Sequence, residues 1–218
     1  MAILGGTGQQ GRGLAQRFAA AGVGVTVGSR DAQRARQAVS EWEQLPTSGG
    51  GSVVAADNAA AVASSDLVVL AVPFASVDAL LDELRPNFRP GQVVIDVTVP
   101  VTFAAGKMAM LEVAEGSASE HIRARLPEHV SLAAAFKTIP AHVLGTLSEP
   151  LDCDEFVCGD SDEARARAVA LVHLLPQLRA VDVGPLSRAR SIEHLTALAI
   201  AINRRRKIHG ARFRIVGL

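Results

Sequence analysis

A glycine-rich loop near the start of the chain is the feature that most limits the possible fold. Gly6, Gly8 and Gly11 have the spacing G-x-G-x-x-G, directly after the apolar stretch Ala2–Leu4 and at the opening of a helical pattern. In this position the glycines permit a tight turn, a close approach of the backbone to a pyrophosphate, and close packing of helix on strand. The helix start also turns free N–H groups toward the phosphate. The loop therefore predicts a strand–loop–helix unit that binds a dinucleotide; an ordinary glycine-rich turn is the alternative.

Strand and helix patterns alternate along the rest of the chain. The stretch 66–72 is continuously apolar after Asp66, which is typical of a strand buried on both faces. A proline- and glycine-rich loop is expected at residues 46–51, and a loop with a short helix around 120–125 within the irregular stretch 100–128. The alternation predicts an α/β fold, a Rossmann-type doubly wound parallel sheet with a smaller C-terminal α/β part. We expect an NADP-binding Rossmann domain over residues 1–135 and a smaller C-terminal domain over residues 136–218 that completes the substrate cleft.

Composition excludes several classes of protein. The 22 Lys and Arg balance the 22 Asp and Glu, and hydrophobic residues make up 49% of the chain, so we expect a globular protein that does not bind nucleic acid. No apolar run reaches the roughly 18 residues of a membrane-spanning helix, and no signal-peptide pattern begins the chain. We therefore expect a cytoplasmic protein without a membrane segment. Cys153, Cys158 and the six scattered histidines lack metal-ligand spacing, which predicts packing cysteines and no metal site.

The end of the second predicted strand decides between NAD and NADP. NAD enzymes usually place Asp or Glu there to bind the ribose 2′-hydroxyl, whereas NADP enzymes place Arg there to bind the 2′-phosphate. This chain reads Gly28, Ser29, Arg30, with Arg34 one helical turn further on. Ser29, Arg30 and Arg34 therefore predict a phosphate clamp and NADP. Asp31 is either a helix cap or an NAD-type acid, and solvated helix charges are the alternative for the two arginines.

Further motifs follow in a fixed order. Gly-Gly-Thr-Gly at 5–8 and Gly-Ser-Arg at 28–30 are followed by Lys-Thr-Ile-Pro-Ala at 137–141, Cys-Gly-Asp at 158–160 and Asp-x-Gly-Pro-Leu-Ser at 182–187, and then by Glu193, Leu195 and Thr196. Together they resemble, nearly end to end, the NADPH-dependent coenzyme F420 reductases, also called F420H2:NADP+ oxidoreductases. The NADP-binding part is also similar to the cytosolic reductase domain of six-transmembrane metalloreductases, which pass electrons from NADPH to a flavin.

This resemblance implies reversible hydride transfer between C4 of nicotinamide and C5 of a deazaflavin, with the two rings stacked. The residues that it implies for NADP binding are Thr7, Gly8, Gln9, Gln10, Ser29, Arg30 and Arg34. It also implies that Phe74, Val77 and Ala141 line the NADP site. It places Ile139 beside the deazaflavin, and Ser187, Arg190 and Thr196 at the polar groups of coenzyme F420. The chain departs from the family at Lys137, where members have His, which alters the reach and charge of the side chain.

The ends of the central strands are expected to contact the cofactor, because open α/β sheets bind ligands at their carboxyl edge. Val72, Pro73 and Phe74 end one predicted strand, and Val99 and Pro100 follow the next. In hydride transfer the cofactors carry the chemistry, so the protein needs mainly to hold two rings about 3 to 3.5 Å apart in a dry cleft.

Residues 139–141 suit an apolar wall for such a cleft, with ordinary core packing as the alternative. The catalytic candidates are thus Ile139 and Lys137, the latter as a proton donor if the enzyme instead reduces a small imine, keto or hydroxy acid. Reduction of a flavin, or NADP sensing without turnover, are further alternatives.

Two C-terminal features each allow two interpretations. The apolar residues 195–202 and 215–218 suit a homodimer surface, although burial within the monomer explains them equally well. The basic residues 204–207 suit the anionic tail of coenzyme F420, and a solvated terminus is the alternative. The expected partners are therefore small-molecule cofactor substrates and a second copy of the chain.

Overall fold

The computed structural model describes residues 1–42, 50–104 and 107–218, so most of the predicted loop at 46–51 lies outside the described residues. The strands are β1 (Ala2–Leu4), β2 (Gly24–Ser29), β3 (Ser52–Asp57), β4 (Leu67–Leu70), β5 (Val93–Asp96), β6 (Val101–Ala104), β7 (Lys107–Met110), β8 (Ser131–Ala134), β9 (Cys153–Gly159) and β10 (Leu178–Pro185). The helices are α1 (Gln9–Ala20), α2 (Ala32–Ser40), α3 (Asn58–Ala63), α4 (Val77–Leu84), α5 (Ala118–Arg125), α6 (Ala141–Gly145), α7 (Asp162–His173) and α8 (Ala189–Arg206).

One sheet of eight strands organises the molecule, in the order β3-β2-β1-β4-β5-β8-β9-β10. The first six of these strands are parallel, β9 is antiparallel to β8, and β10 is parallel to β9. The six parallel strands have the order of a Rossmann dinucleotide-binding sheet, whose topological reversal lies between β1 and β4. The predicted fold class is confirmed. The division of the chain at residue 135 stays a prediction.

The central strands are buried on both faces. In β1, Ile3 packs into the core on one side of the sheet and Leu4 into the core on the other, and in β4 Val69 and Leu70 divide in the same way. Alternate residues of a strand point to opposite faces, so a strand covered on both sides must be apolar throughout. This is why the continuous apolar run at 66–72 predicted a central strand.

The stretch 100–128 differs from its prediction. A hairpin of β6 and β7 forms where a loop was expected, with Val101 opposite Met110 in antiparallel register. Strands of four residues are too short to show a period, although Val101, Thr102 and Phe103 have high β-propensity. The short helix expected at 120–125 is present as α5. None of the helices in the described part of the chain is both long and apolar enough to cross a bilayer.

Candidate functional site

Two adjoining clefts open at the carboxyl edge of the parallel strands. The first, here the glycine-loop cleft, has a volume of about 780 Å³ and lies between the glycine loop, the end of β2 and the start of α4. The second, here the apolar cleft, has a volume of about 620 Å³ and lies between the ends of β4, β5 and β8 and the side of α8. The clefts share Gly8, Ala71, Val72 and Pro73. One elongated ligand could therefore occupy both.

The glycine loop is shaped by close backbone contacts. Gly5 has φ +76°, and a Cβ there would lie 2.5 Å from the Ala71 carbonyl oxygen. A Cβ on Gly11 would lie 2.5 Å from the carbonyl oxygen of Gly5, which explains how α1 packs directly on the loop. A Cβ on Gly8 would meet only the carbonyl oxygen of Gly5, at 3.3 Å. Gly5 and Gly11 therefore fix the loop, and Gly8 leaves room for a ligand. Sequence reasoning included Gly5 in the Gly-Gly-Thr-Gly motif but gave it no role of its own.

No side chain in the described part of the chain caps the start of α1. Helices α2, α3, α5 and α7 are each capped by the side chain of the residue before them, and these caps are Asp31, Asp57, Ser117 and Ser161. Helix α1 follows Gly8 and, like α4, α6 and α8, has no side-chain cap among the described residues; its first turn also has no acidic residue. The first N–H groups of a helix lack internal acceptors and carry a partial positive charge. This terminus therefore fits a phosphate group.

The clamp predicted at the end of β2 lies on the glycine-loop cleft. Ser29, Arg30 and Arg34 line it, and among the described residues neither guanidinium forms an ion pair. The Asp31 Oδ1 atom accepts hydrogen bonds from the N–H groups of Gln33 at 2.8 Å and Arg34 at 3.1 Å. Asp31 thus caps α2. These two arginines have no ion-pair partner among the described residues and line the same cleft as the start of α1. Together they give the cleft the positive charge that binds a nucleotide phosphate.

One wall of the apolar cleft comes from the segment after β8, in which residues 137–141 line the cleft. The Gln10 side chain on α1 donates to the carbonyl oxygens of Phe136 at 2.9 Å and Ile139 at 3.4 Å. From the opposite side, the Thr196 hydroxyl on α8 donates to the Lys137 carbonyl oxygen at 2.9 Å. The segment is therefore held between two helices.

Lys137 lies in a buried cluster of charges behind this wall. Its Nζ donates to Asp96 Oδ2 at 2.7 Å, to Glu193 Oε1 at 3.3 Å and to the Thr98 carbonyl oxygen, and its side chain is fully buried. Burial by itself lowers the pKa of this amine, but the carboxylates of Asp96 and Glu193 outweigh that effect and raise it. Lys137 therefore stays protonated, with three acceptors around its ammonium group.

The same cluster joins three elements of the fold. Glu193 on α8 accepts from the N–H groups of Ala118 at 3.2 Å and Ser119 at 3.4 Å, at the start of α5. The Ser119 hydroxyl donates to Asp96 Oδ2 at the end of β5, at 2.6 Å. Burial raises the pKa of Glu193, and Lys137 opposes that shift. The charges thus fasten α5 and α8 to the carboxyl edge of the sheet.

Glu155 is a second buried acid behind the wall. It accepts from the Lys137 N–H at 3.3 Å and from the Thr138 hydroxyl at 3.1 Å. Burial raises its pKa to about 8 in spite of these hydrogen bonds. Sequence reasoning missed both Asp96 and Glu155. Asp96 had a signal, since a charge that ends the apolar run 93–95 is unusual, whereas nothing local marks Glu155 as buried.

The structure brings most of the predicted residues to the two clefts. The glycine-loop cleft is lined by Thr7, Gly8, Ser29, Arg30, Arg34, Val72 and Pro73. The apolar cleft is lined by Gly8, Gln9, Gln10, Val72, Pro73, Phe74, Val99, Lys137, Ile139, Ala141 and Thr196. Pro100 and Arg190 lie in a separate depression with Glu193 and His194. Four further predicted residues also line neither cleft: Gly6 and Gly11 form the loop itself, Val77 is fully buried, and Ser187 is exposed just before α8.

The cysteines and histidines do not form a further centre. Cys153 and Cys158 are free and buried, and burial raises the pKa of each thiol to about 12. The prediction that they are packing residues agrees with this, because a protonated buried thiol is a poor nucleophile. Within the described ranges, no three His, Cys, Asp or Glu side chains are grouped so as to hold a metal ion.

A parallel sheet in Rossmann order, a glycine loop leading to an uncapped helix, and an adjoining apolar cleft define a dinucleotide-binding oxidoreductase. Comparison with known proteins supports this class. Residues 1–100 match the family model described as NADP oxidoreductase, coenzyme F420-dependent. The chain is 41% identical to the F420-dependent NADP reductase of Methanothermobacter thermautotrophicus, over all of this chain and 95% of the relative, and 36% identical to that of Methanothermobacter marburgensis, over all of this chain and 98% of the relative.

A solved structure has a similar fold over nearly the full length of this chain. A protein from Arthrobacter sp. FB24, provisionally described as an F420-dependent NADP reductase, superposes with a TM-score of 0.84 at 26% identity, covering 99% of this chain and 98% of that one. The chain belongs to the F420-dependent NADP reductase family. The resemblance found in the sequence motifs is confirmed.

Proposed function

We propose that this chain is an NADPH-dependent F420 reductase, which transfers a hydride reversibly between NADP(H) and the deazaflavin coenzyme F420. The observation that supports this most strongly is the pairing of the two clefts. A site for phosphates, with an uncapped helix terminus and two unpaired arginines, opens directly into an apolar site of a size suited to planar rings. The relatives that share the full length of this chain carry the same activity in their names.

In this proposal the glycine-loop cleft holds the phosphates of NADP(H). Thr7, Gly8, Gln9 and the start of α1 bind the pyrophosphate through N–H and side-chain donors. Ser29, Arg30 and Arg34 bind the 2′-phosphate, which distinguishes NADP from NAD. Both arginines are exposed and lack an ion-pair partner among the described residues, so they are available to a ligand.

The apolar cleft holds the two rings. The bound cofactors supply the hydride donor and acceptor, and the protein positions them and excludes water. Ile139 and Pro140 line the apolar cleft, together with Pro73 and Phe74. We propose that Lys137 acts as a positioning residue and not as a proton donor, because its ammonium already donates to Asp96, Glu193 and the Thr98 carbonyl oxygen.

A stopped-flow experiment tests this function. The protein is mixed with NADPH and, separately, with coenzyme F420, with a free flavin and with a panel of small imines and keto acids, while nicotinamide absorbance is followed. We expect rapid loss of absorbance with coenzyme F420 alone. Turnover of a flavin or a carbonyl compound without F420 would support the alternative reductases, and tight NADPH binding without any turnover would support a redox sensor.

We further propose a cytoplasmic homodimer, with the two domains at residues 1–135 and 136–218. The dimer surface would be α8 together with the C-terminal residues, since Leu198 and Val216 are apolar and exposed. Light scattering should give a mass roughly twice the 22.8 kDa of one chain. Leu198→Glu should shift that mass toward the monomer if α8 is the interface, and an unchanged dimer would place the interface elsewhere.

A further inference from the structure

Buried polar atoms without partners are rare in folded proteins, and here they coincide with the clefts. Among the side chains that the structure describes, the buried atoms without a hydrogen-bond partner are Asn58 Oδ1 and Thr98 Oγ1. Asn58 lines the glycine-loop cleft and Thr98 lines the apolar cleft. A buried polar group that lacks a partner costs free energy, so its position beside a ligand cleft indicates that the ligand supplies the partner.

The backbone of Thr98 is held on both sides. Its N–H donates to Asp96 Oδ1 at 2.7 Å, and its carbonyl oxygen accepts from the Lys137 ammonium. Both partners are fully buried, and Thr98 itself is only 3% exposed. The protein thus satisfies both main-chain groups of this residue and leaves only the hydroxyl. One rotation about the Cα–Cβ bond is enough to redirect that hydroxyl without moving the main chain.

The residues around the Thr98 hydroxyl favour a ligand that is apolar except for a planar polar group. Pro73, Val97 and Ile139 line the same cleft, so a hydroxyl there acts in apolar surroundings, where a hydrogen bond discriminates strongly. A hydroxyl both donates and accepts, which matches an amide. Nicotinamide has a carboxamide, and the deazaflavin has an imide in its pyrimidine ring, so both ring systems of the proposed function offer this chemistry.

We propose that the Thr98 hydroxyl binds an amide group of the ring held in the apolar cleft, with Asp96 and Lys137 as the residues that position it. This inference rests on the proposed function for the identity of the rings. It adds to that function a binding residue that fixes the orientation of a ring, since one directional hydrogen bond at the edge of a stacked ring selects which way the ring lies.

The test compares Thr98→Val, which keeps the shape and removes the hydroxyl, with Thr98→Ser, which keeps the hydroxyl. Calorimetry measures the Kd of NADP+, of coenzyme F420 and of 2′,5′-ADP, which lacks the nicotinamide. We expect Thr98→Val to raise the Kd of one ring-bearing cofactor roughly 2- to 10-fold, and Thr98→Ser to restore most of the affinity. A rise for NADP+ but not for 2′,5′-ADP identifies the carboxamide, and a rise for F420 identifies the deazaflavin.

Thermal unfolding of the cofactor-free protein separates binding from a structural role. Because the Thr98 hydroxyl has no hydrogen-bond partner among the described residues, Thr98→Val should leave Tm unchanged or raise it. Thr138→Val is the contrast, because the Thr138 hydroxyl donates to buried Glu155 and its removal should lower Tm. Unchanged Kd values for both cofactors in Thr98→Val would overturn the inference. Wild-type protein that binds both cofactors but transfers no hydride would contradict the proposed function while leaving the Thr98 result standing.

Discussion

The two clefts share residues but are built in different ways. In the glycine-loop cleft the groups that we propose to bind phosphate all come from the first 34 residues, and they are backbone N–H groups and exposed arginines. The apolar cleft gathers segments around residues 72, 98, 139 and 200, and it is backed by a buried cluster of charges. The first cleft therefore depends on local backbone geometry. The second depends on side chains that meet only in the complete fold, so substitutions should affect the two clefts differently.

The largest expected effect is on the charged cluster behind the apolar cleft. Lys137→Met leaves Asp96 and Glu193 buried without their cation, which should lower the free energy of unfolding by roughly 3–5 kcal/mol, as measured by urea denaturation. Because the glycine-loop cleft does not use this cluster, folded variant protein should still bind 2′,5′-ADP with wild-type affinity.

Arg167→Met is the matched control for Lys137→Met. Arg167 pairs with Glu163 on the surface of α7, where the side chain of Arg167 is 39% exposed and that of Glu163 is 68% exposed. Loss of such a pair costs at most about 1 kcal/mol. Equal destabilisation in the two variants would contradict the view that buried charges hold the apolar cleft together.

The next effect concerns the phosphate clamp of the glycine-loop cleft. Arg30→Ala combined with Arg34→Ala should raise the Kd of NADPH roughly 100-fold, since each guanidinium gives charge-assisted hydrogen bonds to the 2′-phosphate. The Kd of NADH should change little, and fluorescence titration measures both. Arg36→Ala is the control, because Arg36 is exposed on the same helix and does not line the cleft. Equal losses for the two nucleotides would show that the clamp does not bind the 2′-phosphate.

The contrast between the clefts also explains what the sequence could predict. Gly6, Gly8 and Gly11 act through steric effects within a few residues of themselves, so their spacing between an apolar stretch and a helical pattern predicted the loop and the helix. The Rossmann class was predicted from the alternation of strand and helix patterns along the chain. Ile139 and Ala141 were predicted only through the family resemblance, because nothing near them in the sequence shows that they face a cleft. The sequence gives no local sign that the carboxylate of Asp96 lies 2.7 Å from an ammonium group 41 residues further on.

Charged residues behind the apolar cleft were the hardest to predict. Glu155 follows Cys153 and Asp154, and adjacent acids usually indicate exposure, yet all seven residues of β9 are buried. Only the tertiary fold, which covers both faces of β9 and supplies Thr138 as a donor, explains how the acid is accommodated. Sequence reasoning also missed Thr98 for this reason. A hydroxyl without a hydrogen-bond partner can be recognised only when the positions of its neighbours in the fold are known.

Glu155 should make stability depend on pH. Its pKa is raised from 4.5 to about 8 in the folded protein, so between these values the folded state holds a proton that the unfolded state has lost. The stabilisation is complete below about pH 4.5 and is lost as the pH rises to 8. Glu155→Gln cannot ionise, so its free energy of unfolding should be close to that of the wild type near pH 5 and should exceed it increasingly as the pH rises to 8, by up to about 1.4 kcal/mol for each pH unit. Urea denaturation at several pH values measures the difference.

Glu163→Gln is the control for this pH dependence, because Glu163 is exposed on α7 and does not lie near the cleft. Its difference from the wild type should be small at every pH. A constant difference between Glu155→Gln and the wild type from pH 5 to 9 would mean that Glu155 titrates normally, and that the wall of the apolar cleft is open to water.

The smallest expected effect distinguishes the glycine that faces the ligand from those that shape the loop. Gly8 has φ −78°, which alanine adopts readily, and the added Cβ would meet only one oxygen at 3.3 Å. Gly8→Ala should therefore fold with nearly wild-type stability but raise the Kd of NADP+ by about 10-fold, or about 1.4 kcal/mol, because the methyl group takes the place of the pyrophosphate. Gly11→Ala should instead destabilise the fold, since its Cβ would lie 2.5 Å from the Gly5 carbonyl oxygen. If Gly8→Ala bound NADP+ as the wild type does, the phosphates would have to lie away from the loop, and the division of roles between the two clefts would be wrong.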